Sequence, residues 1–249
     1  MASMTVKILS YSHLKISFTF SIILFSLNLF AQKTEVAIES PAHVSKDKEG
    51  NVYLALENGD IDKYSTDGSL INHYSPEKLA AASLIEAWNP LRIFIFYQDF
   101  QEYVFLDRFL TSTNRFSLSH ISSYIGMATV SLDNNLWLID YSSFSLKKYD
   151  INFEQVSIER PLDLVLDPDN YDVTFIREYQ NLLFLAYRKK GILIFDNLGN
   201  YLKRFNHENL EYFNFREEEL YFVNGSKIIF TNIYSGETRE LVIEENAEF

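Results

Sequence analysis

Asn51-Val-Tyr-Leu-Ala-Leu56 and Asp60-Ile-Asp-Lys-Tyr64, joined by Glu57-Asn-Gly59, form an apolar hairpin pattern that recurs along the chain. Asn58-Gly59 suits the tight turn, because glycine tolerates the positive φ that such turns require. Four further hairpins are predicted at residues 92–97 with 102–107, 136–140 with 145–149, 182–187 with 192–196, and 220–223 with 227–231. Their starts recur about every 40 residues, the length of a four-stranded propeller blade.

Each hairpin also has a candidate strand on either side. The preceding strands are predicted near residues 43–45, 83–88, 127–132, 172–178 and 212–216, and the following ones at 70–74, 109–116, 153–159, 201–205 and 238–243. Five blades of four strands use nearly all of residues 32–249, so we predict an all-β, five-bladed β-propeller, with six blades left open. A few helical turns are expected only within residues 76–88.

The repeat also carries a resemblance to a known family. Asp47-Lys-Glu-Gly-Asn-Val-Tyr-Leu54, followed by Lys63-Tyr-Ser-Thr-Asp-Gly-Ser-Leu70, resembles the blade pattern of NHL-type and related six-bladed propellers. Asp133-Asn-Asn-Leu-Trp-Leu138 and Ile194-Phe-Asp-Asn-Leu-Gly-Asn-Tyr-Leu202 repeat parts of it. The resemblance implies the fold and no particular activity, because propellers serve many functions.

The first 31 residues read as a cleaved signal peptide. They contain Lys7 and Lys15, no Asp or Glu, and an apolar run over residues 16–31. This run is shorter than the roughly 20 residues of a spanning helix, although a retained anchor is the alternative. Cleavage after Ala31, before Gln32, resembles that of exported propellers from Bacteroidota. We therefore predict a mature domain over residues 32–249, periplasmic or extracellular and without a membrane span.

Charge and cysteine content narrow the classes of partner and chemistry. Removing residues 1–31 deletes two lysines and no acidic residue, so the formal net charge of −12 becomes −14. Nucleic acid is therefore excluded as a partner, because Lys and Arg supply most affinity for phosphates. The chain has no cysteine, so it can form no disulfide and has no thiol nucleophile.

Carboxylates near the ends of the predicted innermost strands are the candidate catalytic residues: Asp47, Glu86, Asp133, Glu178 and Glu217. A pair of them could serve as acid and base across a glycosidic bond, as in some five-bladed propellers that are glycoside hydrolases. The preferred interpretation is structural, since Asp47 and Asp133 fall in the turn of the blade pattern, where Asp accepts hydrogen bonds from backbone N–H groups.

No metal or cofactor site is predicted. The four histidines after residue 31 are isolated from one another: His43, His73, His120 and His207. The acidic loop 163–172 lacks the spacing of a known calcium loop and is interpreted as a solvated connection. Arg188-Lys-Lys190 is interpreted as a solvated hairpin tip.

The export signal, without a catalytic constellation, favours a non-catalytic interaction module of the cell envelope. We expect its partner to be an envelope protein. One form of this hypothesis makes the chain an accessory subunit of an outer-membrane secretion or assembly complex. The alternatives are a ligand sensor, and a carbohydrate-active enzyme or lectin with a site on the propeller axis. Only Trp88 and Trp137 are available as tryptophans for stacking on a sugar, and Trp137 is expected in a buried strand.

Overall fold

The structure is a computed structural model that describes residues 42–111 and 114–243. The predicted signal peptide lies outside these residues. Five four-stranded antiparallel sheets follow one another along the chain as the blades of a β-propeller, and each is built from consecutive strands. The five-bladed prediction is confirmed.

The blades are numbered in chain order. Blade 1 comprises β1 (His43–Lys46), β2 (Val52–Ala55), β3 (Ile61–Tyr64) and β4 (Leu70–Tyr74). Blade 2 comprises β5 (Leu84–Glu86), β6 (Ile93–Tyr97), β7 (Glu102–Leu106) and β8 (Arg115–Ser117). Blade 3 comprises β9 (Ile125–Val130), β10 (Leu136–Asp140), β11 (Ser145–Asp150) and β12 (Gln155–Pro161). Blade 4 comprises β13 (Val173–Tyr179), β14 (Leu182–Tyr187), β15 (Gly191–Asp196) and β16 (Tyr201–Phe205). Blade 5 comprises β17 (Asn214–Arg216), β18 (Glu219–Asn224), β19 (Lys227–Asn232) and β20 (Thr238–Val242).

The second strand of a blade is an apolar run because neighbouring blades cover both faces of that part of the sheet. In β6, Ile93, Ile95 and Tyr97 pack in a cluster with blade 1, whereas Phe94 and Phe96 enter the cluster shared by blades 2 to 5. Successive side chains of a strand point to opposite faces of the sheet. A strand that is covered by a neighbouring blade on each face therefore needs apolar residues at every position.

The outermost strands follow a different rule. All five residues of β20 are exposed, and every residue of β4 and β12 is exposed or half-buried. These strands lie at the rim of the propeller, where water replaces the next blade on one side.

Two predicted elements differ from the structure. Residues 76–82 form an irregular connection that leads into β5, not a helix, and the only helix among the described residues is the 3-10 turn Gln98–Phe100. The alanine-rich connection runs across the hairpin tip of blade 1, where a Cβ on Gly59 would lie 2.3 Å from the Ala80 carbonyl oxygen. The outer strand predicted at 109–116 begins only at Arg115, because Asp107–Thr111 form a turn closed by hydrogen bonds to the Asp107 carboxylate.

Within the described ranges, no helix has both the length and the apolar character needed to cross a bilayer.

Candidate functional site

The axis of the propeller has two ends with different chemistry. The innermost strands β1, β5, β9, β13 and β17 begin at what we call the upper end and finish at the lower end. The upper end holds a cavity of about 570 Å3, here called the axial cavity. The lower end holds a cleft of about 120 Å3, here called the lower cleft.

Blades 1 to 4 and the segment before β17 all contribute to the axial cavity. Its wall includes the small residues Ala42, Gly126 and Ala128, which leave room at the axis. Its polar side chains are His43, Ser83, Gln98, Asp172, Thr174, Arg188, Glu211 and Tyr212. Because they come from segments more than 160 residues apart in the chain, only the closed arrangement of blades brings them together.

Arg188 links two carboxylates at this cavity. Its Nε donates to Asp172 Oδ2 over 2.7 Å, and its Nη1 donates to Glu211 Oε1. As predicted, Arg188-Lys-Lys190 forms the turn between β14 and β15, with Lys189 and Lys190 exposed; Arg188 itself is half-exposed, because the end of the acidic loop 163–172 lies beside this turn. The loop itself is fastened by Leu162 and Leu166, which are buried between blades 3 and 4.

The lower cleft contains two of the predicted carboxylates, Glu86 and Glu178. Thr129 Oγ1 donates to Glu86 Oε1 over 2.6 Å, and the Val130 N–H donates to Glu86 Oε2 over 3.1 Å. Glu86 is buried, and this burial raises its pKa; Arg177 opposes the increase and Glu178 adds to it. Glu86 therefore ties blade 2 to blade 3.

Glu178 ties blade 4 to the same strand end from the other side. It accepts hydrogen bonds from Ser131 Oγ over 2.6 Å, from the Leu132 N–H over 3.2 Å and from Trp137 Nε1 over 2.5 Å. Trp137 is fully buried, as predicted. Glu86 and Glu178 thus both accept several hydrogen bonds from blade 3, and these bonds join blades 2 and 4 to blade 3.

Asp47 and Asp133 both accept a hydrogen bond from the N–H group two residues on, which is what the turn interpretation predicts. Glu49 N–H donates to Asp47 over 2.8 Å, and Asn135 N–H donates to Asp133 over 3.2 Å. They do not occupy one position of the repeat, however. Lys46 pairs with Val52 and Val130 pairs with Leu136, so the equivalent of Asp47 in blade 3 is Ser131.

Glu217 is placed in the tight turn between β17 and β18, where its φ is 54°. Its carbonyl oxygen accepts hydrogen bonds from Tyr179 and Gln180 of blade 4. Three of the five predicted carboxylates are therefore separate turn residues, and the structure brings together only Glu86 and Glu178.

The histidines are dispersed over the propeller. Nδ1 of His73 lies 2.7 Å from Asp62, whereas Nε2 of His120 lies 3.2 Å from the Tyr149 hydroxyl and Nε2 of His207 lies 3.1 Å from the Thr231 hydroxyl. His43 lines the axial cavity, and burial lowers its pKa. The described residues contain no cluster of three or more acidic or histidine side chains able to hold a metal ion.

Sequence reasoning missed most of the axial cavity. Ser83, Gln98, Thr174 and Tyr212 belong to no motif, and their residue types are common on any surface. The positions of Ser83, Thr174 and Tyr212 supply a signal, because each lies at or just before the start of an innermost strand; Gln98, which follows β6, has no such signal.

Comparison with known proteins finds similarity in fold. No protein-family model matches the chain, and no curated protein matches it. A streptogramin B lyase superposes with a TM-score of 0.62 and 16% identity, over 86% of this chain and 72% of that one. A catalytically inactive virginiamycin B lyase from Staphylococcus aureus, with quinupristin, gives 0.59 and 15%, over 88% and 76%. The extracellular domain of the one component system BT4673 from B. thetaiotaomicron gives 0.56 and 11%, over 86% and 30%.

At these identities the similarity concerns the fold alone. The NHL-type resemblance and an origin in Bacteroidota stay predictions. The chain is a five-bladed β-propeller whose fold is similar to that of a lyase and to that of the extracellular domain of a one component system.

Proposed function

We propose that the chain is an exported, non-catalytic interaction module of the cell envelope, and that its lower end docks on a partner protein. A place as an accessory subunit of an outer-membrane secretion or assembly complex belongs to the same proposal. The observation that carries it is a set of apolar side chains at equivalent turns of four blades.

The turn between the third and fourth strands lies at the lower end of every blade. In blades 2 to 5 this turn presents a large apolar side chain to solvent: Phe109, Phe153, Leu198 and Tyr234, each between 54% and 75% exposed. Exposed apolar side chains in such an arrangement are typical of protein contact sites.

A hydrogen bond of the same kind orders the backbone of each of these turns. The N–H groups of Phe109, Phe153, Leu198 and Tyr234 donate over 2.9 to 3.1 Å to the side chain of the Asp or Asn that opens the turn. An ordered turn loses less conformational entropy on binding than a mobile one, which favours recognition by these turns.

Acidic side chains outnumber basic ones at the lower-end turns. The acidic residues include Asp67, Glu154, Glu217, Glu218 and Glu237, and the basic ones are Lys48, Arg92 and Arg108. A partner with basic residues around an apolar centre complements this end best.

The experiment compares two sets of substitutions. In one variant Phe109, Phe153 and Leu198 are replaced by Ser; in the control Leu79 and Leu164, which are exposed on connections at the upper end, are replaced by Ser. We expect chemical cross-linking in envelope preparations to identify a partner that is captured by the parent and the control and lost by the first variant. Equal capture by all three proteins would contradict docking at the lower end.

The second candidate is a glycoside hydrolase, favoured by the presence of Glu86 and Glu178 in one cleft. Screening with aryl-glycosides and glycans distinguishes the two. Turnover that Glu178→Gln abolishes, with the fold intact, would replace the interaction module by an enzyme.

A further inference from the structure

The axial cavity has the size of a site for a small molecule. Its volume of about 570 Å3 falls within the range of roughly 300–1,000 Å3 that ligand pockets occupy, whereas the lower cleft, at about 120 Å3, lies well below it. Most residues of the wall belong to strands, so the cavity exists before any ligand arrives.

The charges at the cavity disfavour an anionic ligand. Among the described residues that line it there is no lysine, and its single arginine, Arg188, already donates to Asp172 and Glu211. Because burial lowers the pKa of His43, its imidazole is neutral at pH 7. Arg177, whose guanidinium reaches the Tyr212 hydroxyl, already donates to Asn214. A phosphate or carboxylate would therefore meet one excess negative charge among the lining residues, and each arginine nearby already has partners.

The neutral polar groups of the wall both donate and accept hydrogen bonds. Ser83 Oγ accepts from the Gln98 N–H over 3.0 Å, which leaves the hydroxyl proton to donate. Gln98 Nε2 donates to the Tyr124 hydroxyl over 2.8 Å, which leaves Oε1 to accept. Thr174 donates to the Leu210 carbonyl and keeps acceptor capacity. Hydroxyl groups, which donate and accept at one atom, match this mixture.

An aromatic ring stands at the same cavity. Tyr212 is 45% exposed, and its ring lies 4.5 Å from that of buried Phe175, centroid to centroid. The ring is therefore held in place while much of it faces solvent. A flat, exposed aromatic surface beside hydrogen-bonding groups is the combination that receives the C–H face of a sugar ring.

From cavity size, neutrality, hydroxyl-matching groups and a fixed aromatic ring, we infer that the axial cavity binds a short neutral carbohydrate. This site is at the upper end and is independent of the lower-end turns proposed to dock a partner protein. Tyr212 would stack on a sugar ring, while Ser83, Gln98 and Thr174 would bind its hydroxyl groups.

Saturation-transfer NMR with the purified protein tests the inference, with cellobiose, maltotriose, xylotriose and chitobiose as neutral probes and trigalacturonic acid as the anionic one. We expect at least one neutral probe to bind. Tyr212→Ala should weaken it about tenfold or more and Tyr212→Phe by less than about threefold. Val44→Trp, which adds a ring inside the cavity from a half-exposed position in β1, should abolish binding.

Tyr201→Ala is the matched control, because Tyr201 is 44% exposed, close to the value for Tyr212, but lies in β16, the outermost strand of blade 4. Retention of binding in this variant, with loss in Tyr212→Ala and Val44→Trp, supports the site. The inference is overturned if no neutral probe binds at up to about 10 mM, if Val44→Trp leaves binding unchanged, or if trigalacturonic acid binds more tightly than every neutral probe. Thermal unfolding of each variant separates loss of the site from loss of the fold.

Discussion

Asp140→Asn should destabilise the propeller more than any exposed acidic substitution. Asp140 is 1% exposed at the end of β10 and accepts hydrogen bonds from Lys147 Nζ over 2.7 Å, from Ser122 Oγ over 2.7 Å and from two groups of Ser143. Burial raises the pKa of Asp140, but hydrogen bonds from Lys147, Ser122 and Ser143 outweigh it and hold the pKa at about 2, from 3.8.

The size of the effect follows from this shift. At about 1.4 kcal/mol per pKa unit, the ionised carboxylate contributes about 2 kcal/mol to the free energy of unfolding at pH 7. The asparagine carbonyl oxygen can still accept from Ser122 Oγ and the Ser143 N–H, but the NH2 group would replace Oδ2 and face Lys147, whose side chain is 9% exposed, and Ser143 Oγ. Removing one partner of a buried ion pair typically costs about 3–5 kcal/mol, and the second carboxylate at 3.4 Å from Lys147, that of Glu159, reduces this. We expect a loss of about 2–3 kcal/mol.

The pH dependence gives a second test. Because the folded pKa lies below the unfolded one, the carboxylate's contribution is complete above about pH 5 and is lost as the pH falls through 4 toward 2. Urea unfolding at several pH values should therefore show a constant difference between the parent and Asp140→Asn from pH 7 to 5, narrowing below pH 4.

Glu159→Gln is the control, because it removes the exposed partner of Lys147 and should cost less than about 1 kcal/mol. Adding Lys147→Met to Asp140→Asn should recover stability, since it removes the charge left without its partner. A loss below about 0.5 kcal/mol in Asp140→Asn, or a difference that does not narrow in acid, would refute this account of the pair.

Three further predictions concern other blades and turns. Glu86→Gln should flatten the pH dependence of stability. Because the folded pKa of Glu86 is raised, the parent should lose stability as the pH rises above about 4.5, by up to about 1.4 kcal/mol per pH unit. Urea unfolding at several pH values measures this slope, and an equal slope in the variant would contradict the prediction. Gly126→Ala should destabilise by about 1–3 kcal/mol in thermal unfolding, because its Cβ would lie 1.9 Å from the Tyr141 ring; an unchanged melting temperature would show that the ring moves aside without cost. Asp47→Ala should cost about 1–3 kcal/mol in chemical denaturation, because it removes the acceptor of hydrogen bonds from Glu49, Asn51 and Tyr53, and a neutral result would show that the turn forms without it.

The sequence by itself determined the repeat and hence the architecture. Hairpins such as Asn51–Tyr64 can be located because apolar runs and Gly turns act over a few residues, and a four-stranded repeat of about 40 residues is typical of a propeller blade. The same local logic placed Asp47 and Asp133 in turns and Trp137 in a buried strand. It misjudged the connection 76–82, since alanine propensity is weak against the packing of that segment over Gly59.

Only the tertiary structure decided which polar groups meet. Glu86 and Glu178 accept hydrogen bonds from residues at the end of β9, and Tyr212 lies with Ser83 and Gln98 at the axial cavity. Glu86 and Glu178, like Tyr212 and its two neighbours at the cavity, are about 90 to 130 positions apart in the sequence. No local pattern encodes these meetings, because they depend on the angle between successive blades, which is set by side-chain packing over the whole sheet. The sequence therefore specifies what each blade is, and the packing of the blades specifies which surfaces and sites they create together.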